Sequence, residues 1–120
     1  MAGLTVKTNL FPYRMHLKEK EPLELTIEIR NDDVKPKLVS FELELPETVA
    51  IDKSGMTRIV QKNLDRMSPG ETKKFLYSIY PSKKVDTGHW GGKLTVSEHY
   101  QDYNYILNNY SKDILVRIIE

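Results

Sequence analysis

The chain has 120 residues and a formal net charge of +1, from 18 Lys plus Arg against 17 Asp plus Glu, so no global field draws it to a phosphate backbone or an anionic membrane. Its length suits a single domain spanning residues 1–120, whose folding removes roughly two thirds of the unfolded surface from water, and its 39% hydrophobic and 29% charged residues are those of a chain that folds. With no cysteine, disulfides, thiolate nucleophiles, thiolate zinc centres and iron–sulfur ligation are excluded.

Two-residue alternation dominates, the mark of strands with one buried face. Leu4, Val6, Thr8 and Leu10 alternate with polar or small neighbours until Pro12. After "KEKEP", Leu23, Leu25, Ile27 and Ile29 alternate with Glu24, Thr26, Glu28 and Arg30, and "NDD" closes the run with turn chemistry. Val39, Phe41, Leu43 and Leu45 repeat the pattern up to Pro46. Residues 48–67 alternate only in short stretches, which predicts one or two short strands around a turn at 53–55 and leaves room for a helical turn in "VQKNLDRM". "SPGE" is a turn, and Phe75, Tyr77 and Ile79 alternate until Pro81. Residues 90–100 form the next long strand, "YQDYNYILNNYS" a polar and aromatic connection, and 113–120 the last strand. About seven strands result, and the connections are too short for the dozen or so residues of a parallel crossover. The pattern is that of an all-β, mainly antiparallel sandwich.

The order of signals resembles that of the immunoglobulin-like sandwich modules of prokaryotic proteins, the CARDB-type and alpha-galactosidase-associated NEW3-type domains. The resemblance lies in "LTIEIRNDD" (25–33), a strand ending in Asn and a polar turn, in "FELELPETV" (41–49), in "LDRMSPGETKKFLYSIYP" (64–81), and in "TGHWGGKLTVSEHYQD" (87–102). Such modules carry a tyrosine near the start of the sixth strand that bonds back to nearby backbone. Asp86, Gly88 and Trp90 resemble that corner with Trp90 in the tyrosine's place. Indole donates one hydrogen bond and accepts none, so Trp90 is expected to serve mainly as packing, in register with Leu94 and Val96, with Gly92 leaving room beside the ring. The resemblance implies an immunoglobulin-like antiparallel β-sandwich that acts as an adhesion or scaffolding module, with no catalytic residue to carry over.

The stretch "DTGHWGGKLTVSEHYQDYNY" (86–105) gathers the chain's most reactive-looking residues. On one continuous strand His89 and His99 would share a face but lie about 33 Å apart at ~3.3 Å per residue, too far to share a metal. Both are expected on the outside, with His16 lacking a paired ligand nearby. Asp86, Glu98 and Asp102 lack the closely spaced acidic run of a calcium loop. Ser68 and Ser97 stand in no nucleophile elbow, and "GHWGG" leads into no helix that would aim amides at a phosphate. No catalytic residue, metal or cofactor is therefore expected.

What remains is surface. Tyr100, Tyr103, Tyr105 and Tyr110, with Asp102, cluster around the expected connection of about a dozen residues, where tyrosine offers rigid amphipathic area. These five are the candidate binding residues; as an alternative, two of the tyrosines lid the core with their hydroxyls in water. A protein partner is the expected ligand, and the C-terminal "ILVRII", apolar on both faces, gives a homodimer if it lies at a sheet edge. The alternative is a carbohydrate- or calcium-binding accessory module with tyrosines flanking Asp102 as its platform. No run approaches the ~20 apolar residues of a membrane helix, and the N-terminus lacks a secretory pattern. The expectation is a soluble cytoplasmic protein, extracellular if the chain is a piece of a larger exported one.

Overall fold

The computed structural model describes all residues except 1, 2, 13 and 20, so one residue of the "KEKEP" turn lies outside the description. Nine strands form in chain order: β1 Leu4–Phe11, β2 Arg14–His16, β3 Leu23–Asn31, β4 Lys37–Glu44, β5 Val49–Ala50, β6 Ile59–Met67, β7 Thr72–Pro81, β8 Gly88–His99 and β9 Ile106–Ile119. They make two sheets, one in the order β1-β3-β7-β5 and the other β2-β9-β8-β4-β6. The architecture is an all-β immunoglobulin-like sandwich. The strands beyond the seven expected are two and three residues long, too short to show alternation.

The alternating positions meet between the sheets. Leu25, Ile27 and Ile29 of β3, Val39, Phe41 and Leu43 of β4, Leu94 and Val96 of β8, and Ile114, Val116 and Ile118 of β9 form one buried cluster. Each such side chain contributes roughly 1.5–3 kcal/mol on removal from water. Phe41 adds edge-on contacts to Phe75, at 5.1 Å between ring centres, and to Tyr77, at 6.4 Å.

Three expectations need correction. The "VQKNLDRM" stretch is strand, the edge β6, paired with β4 alone. Only Leu64 and Met67 of its nine residues are buried, so the strand shows no alternation. The expected connection "YQDYNYILNNYS" is mostly strand too, because β9 begins at Ile106 and runs fourteen residues. Its first four residues are exposed on both faces, which removes the period-two signal there. Finally, His99 is on the outer face of its sheet but is only 7% exposed, because Tyr103 folds back edge-on against it at 5.2 Å.

Candidate functional site

The candidate tyrosines divide between a tight hairpin and a strand. β8 and β9 are joined by residues 100–105, closed by the Tyr100 amide donating to the Tyr105 carbonyl at 2.9 Å and the Tyr105 amide to the Asp102 carbonyl at 3.2 Å. Asp102 is spent on this turn: its carboxylate accepts the Asn104 amide at 2.9 Å, and Gln101 holds a left-handed φ of 60°. Tyr100 and Tyr105 are exposed and meet edge-on with ring centres 6.3 Å apart. Tyr103 turns the other way and lies across the sheet, its hydroxyl accepting the Asp65 amide at 2.9 Å. Asp65 itself has φ 59° and sits where β6 slips register against β4, so Tyr103 caps a β-bulge. Tyr110 belongs to β9, opposite Val96, half-buried against the core. The five candidates therefore form no single surface, and only Tyr100 and Tyr105 combine large area with exposure.

The outer face of the five-stranded sheet carries polar cross-strand rows that sequence reading missed. Ser40, Ser97 and Asn109 form one row and Glu42, Thr95 and Ser111 the next, bounded by a shallow groove of about 240 Å³. In it the Ser40 hydroxyl lies 2.7 Å from His99 Nε2, the spacing of a nucleophile and its base. The rest of that machinery is missing: His99 Nδ1 is buried with no partner, where a triad has a carboxylate to orient the ring. Both residues sit within paired strands, so the local amides serve the ladder rather than an oxyanion. Ser40–His99 is a sheet contact. Its signal in the sequence was a register between residues 59 apart, which no local pattern reveals.

Buried polar groups cluster at one end. Asn31 is fully buried; its side-chain amide donates to the Lys35 carbonyl at 2.9 Å and the Met67 carbonyl at 3.0 Å, and its side-chain oxygen accepts the Asp33 amide at 2.9 Å. Its backbone amide donates to Glu71 O, and its carbonyl accepts from Gly70. One residue thus binds the end of β3 to the end of β6 and to the "SPGE" turn. Beside it Lys37 Nζ lies 2.9 Å from Glu98 and 3.2 Å from Asp33. Burial pulls the Lys37 ammonium down, but hydrogen bonds to Glu98 and Asp33 outweigh it and hold it above its ordinary 10.5. The Lys37 hydrogen bond, with the Val34 amide, holds Asp33 below 3.8. At the other end, Trp90 makes the corner bond despite being an indole: Nε1 donates to the Asp86 carbonyl at 3.0 Å, and the half-buried ring also packs on the core. Gly92 makes room for the end of β4 rather than for that ring, since a Cβ there would stand 2.8 Å from the Glu44 carbonyl.

Asp86 and Asp102 flank the twelve residues of β8, roughly 40 Å apart at strand rise, and cannot share an ion. Among the described residues no three His, Asp or Glu side chains stand together as metal ligands, and no helix is long and apolar enough to cross a membrane.

The main feature left open is backbone. On one side β9 pairs with β8, with one register slip between Ile106 and Asn108; on the other β2 covers only Arg117 to Ile119. Among the described residues no strand is hydrogen-bonded to 106–116 on that side. The Ile119 carbonyl accepts from the Leu17 amide at 2.9 Å, so the odd-numbered residues of β9 aim their amides and carbonyls away from β8. This edge holds one Lys112–Asp113 neighbour pair and no other charge or proline, and exposes Ile106 (55%), Leu107 (51%) and Leu115 (42%).

No protein-family model matches the sequence, and no curated protein does. The fold is similar to that of solved structures. The CARDB domain of a Pyrococcus furiosus protein, solved in complex with di-metal ions, aligns at TM-score 0.65 and 14% identity over 98% of this chain and 89% of that one. A native alpha-2-macroglobulin structure from Escherichia coli gives the same score at 18% identity, over 98% of this chain and 17% of that one. A FixG-related protein from Vibrio parahaemolyticus follows at 0.56 and 12%, over 98% and 95%. At these identities the likeness shows the fold, a CARDB-like immunoglobulin-type module.

Proposed function

We propose that the protein is a non-catalytic interaction module that binds a protein partner along the free edge of β9. One observation carries this reading: among the described residues no strand is hydrogen-bonded to the outer side of 106–116, and past the register slip between Ile106 and Asn108 this edge carries one Lys–Asp neighbour pair and no proline. An exposed edge of this length is a template for a further strand, and proteins that do not use such an edge block it with charge, proline or a bulge. β-Augmentation draws its affinity from main-chain hydrogen bonds and its selectivity from alternate side chains. Tyr100 and Tyr105, at the end of this edge, extend the contact area with rigid rings. The fold supports the reading, being one of CARDB-like and immunoglobulin-type modules.

The experiment is affinity capture from the source extract with the wild type and with Ser111→Pro. Ser111 aims its amide outward, where proline removes a donor without touching the β8 ladder. Proteins retained by the wild type and lost with Ser111→Pro identify the edge as the interface. An identical retained set for both baits would overturn the reading.

A further inference from the structure

We infer that the strand received by this edge is β9 of a second copy, paired antiparallel about a two-fold axis through Ser111. This rests on the edge reading above and names its occupant. In such a dimer the five-stranded sheets merge into one ten-stranded sheet, and residue i of one copy lies opposite residue 222 − i of the other. The register follows from the length of the opening. The free stretch is 106–116, its midpoint is 111, and it is regular from Asn108 on, past a register slip against β8 between Ile106 and Asn108, so this pairing is centred on the opening and stops where β2 begins to cover each strand.

The side chains are self-complementary in that register. Leu107, the residue at the register slip, comes level with Leu115 of the second copy, which brings two exposed apolar residues together twice over. Asn109 comes opposite Asp113 of the second copy, an amide beside a carboxylate, and Ser111 meets itself. On the inner face Tyr110 comes opposite Lys112 of the second copy, placing an ammonium beside a ring. No like charges stand opposite one another. All outward amides and carbonyls from 109 to 113 fall on odd residues, and the register pairs odd with odd, as a hydrogen-bonded ladder requires. β1 comes close to Tyr110, Ser111 and Lys112 but pairs only with β3, so it makes no ladder with the β9 edge. An isologous interface of this kind closes on itself and produces a dimer, not a fibre.

Light scattering on the purified full chain, with cysteine scanning, tests this. The chain has no cysteine, so each introduced thiol reports alone. Wild type should elute at twice 14.0 kDa, and Ser111→Pro and Ser111→Lys as folded monomers, the latter because two ammonium groups would face each other across the axis. Under mild oxidation Ser111→Cys should cross-link to a dimer, the pair Asn109→Cys with Asp113→Cys likewise, and Asn109→Cys alone should not. A wild type that stays monomeric at millimolar concentration overturns the self-pairing, and if Ser111-dependent capture of a foreign protein persists, the edge reading survives without it. A dimer that tolerates Ser111→Lys, or cross-links at Asn109→Cys but not Ser111→Cys, overturns the register.

Discussion

The two sides of the sandwich are finished in opposite ways. On one side β6 and β7 run past each other, and every device there closes the opening. Lys62 lies over the Phe75 ring at 5.1 Å, and Lys73 Nζ donates to the Leu64 carbonyl at 2.7 Å. Tyr103 caps the bulge at Asp65, and Asn31 ties down the end of the strand. On the other side β9 offers residues 106–116 without proline or lysine row, its register slip lying at the very start between Ile106 and Asn108. Long cationic side chains and bulges discourage edge pairing, so the contrast separates an edge built to stay solvated from one left able to pair. The same β-strand geometry serves both; only the side chains and their backbone bonds differ.

The largest expected effect tests how the closed side is held. Asn31→Ala would leave the buried Met67 carbonyl and other backbone groups unpaired, at a cost of about 3 kcal/mol in denaturant unfolding. Amide exchange should rise in β6 and in the 68–71 turn, with β9 unchanged. A uniform rise would erase the distinction between the sides. Trp90→Ala, beside the root of β9, should cost about 2–3 kcal/mol, less than a fully buried tryptophan because the ring is half-exposed. Trp90→Phe, which keeps packing and loses the bond to Asp86, should cost about 1 kcal/mol.

Tyr103→Phe should cost about 1 kcal/mol through the lost bond at the bulge, whereas Tyr100→Phe should stay within about 0.5 kcal/mol. Equal effects would show that the hairpin tyrosines share one role. Smallest is the pH response. Asp33, held low by Lys37, contributes fully above its ordinary 3.8, and the contribution fades as pH falls through its lowered value. Asp32, bonded to Thr5 and Arg30, and Asp52, bonded to Ser54 and the Thr57 amide, follow the same sign. Lys37 acts oppositely, its contribution present below 10.5 and lost as pH rises through its raised value. Asp33→Asn should therefore blunt the acid limb of stability, read by thermal melts across pH.

The legible part of the fold was the part with one face in the core. β3 and β4 bury every second residue, and their alternation gave both strands and their inward sets. β6 buries only Leu64 and Met67 and β9 opens with four exposed residues, so the first reads as short strands or a helical turn and the second as a connection. The same cause hides the open edge of β9, which reads as a connection, and tyrosines spread over a hairpin, a cross-sheet cap and a strand read as one cluster. The Trp90 corner was visible in "DTGHW", although its hydrogen bond was expected to give way to packing and both are present. Asn31, Ser40–His99 and Lys37–Glu98 depend on contacts between distant segments, which follow from register rather than from local pattern.

The most direct measurement is residue-resolved amide exchange along β9 as protein concentration rises. The amides of Asn109, Ser111 and Asp113 should exchange rapidly in dilute solution and become protected together on concentration, while those of Tyr110 and Lys112, bonded to β8, stay protected throughout. Odd-numbered amides that remain fast at every concentration, or are protected even at high dilution, would contradict the account.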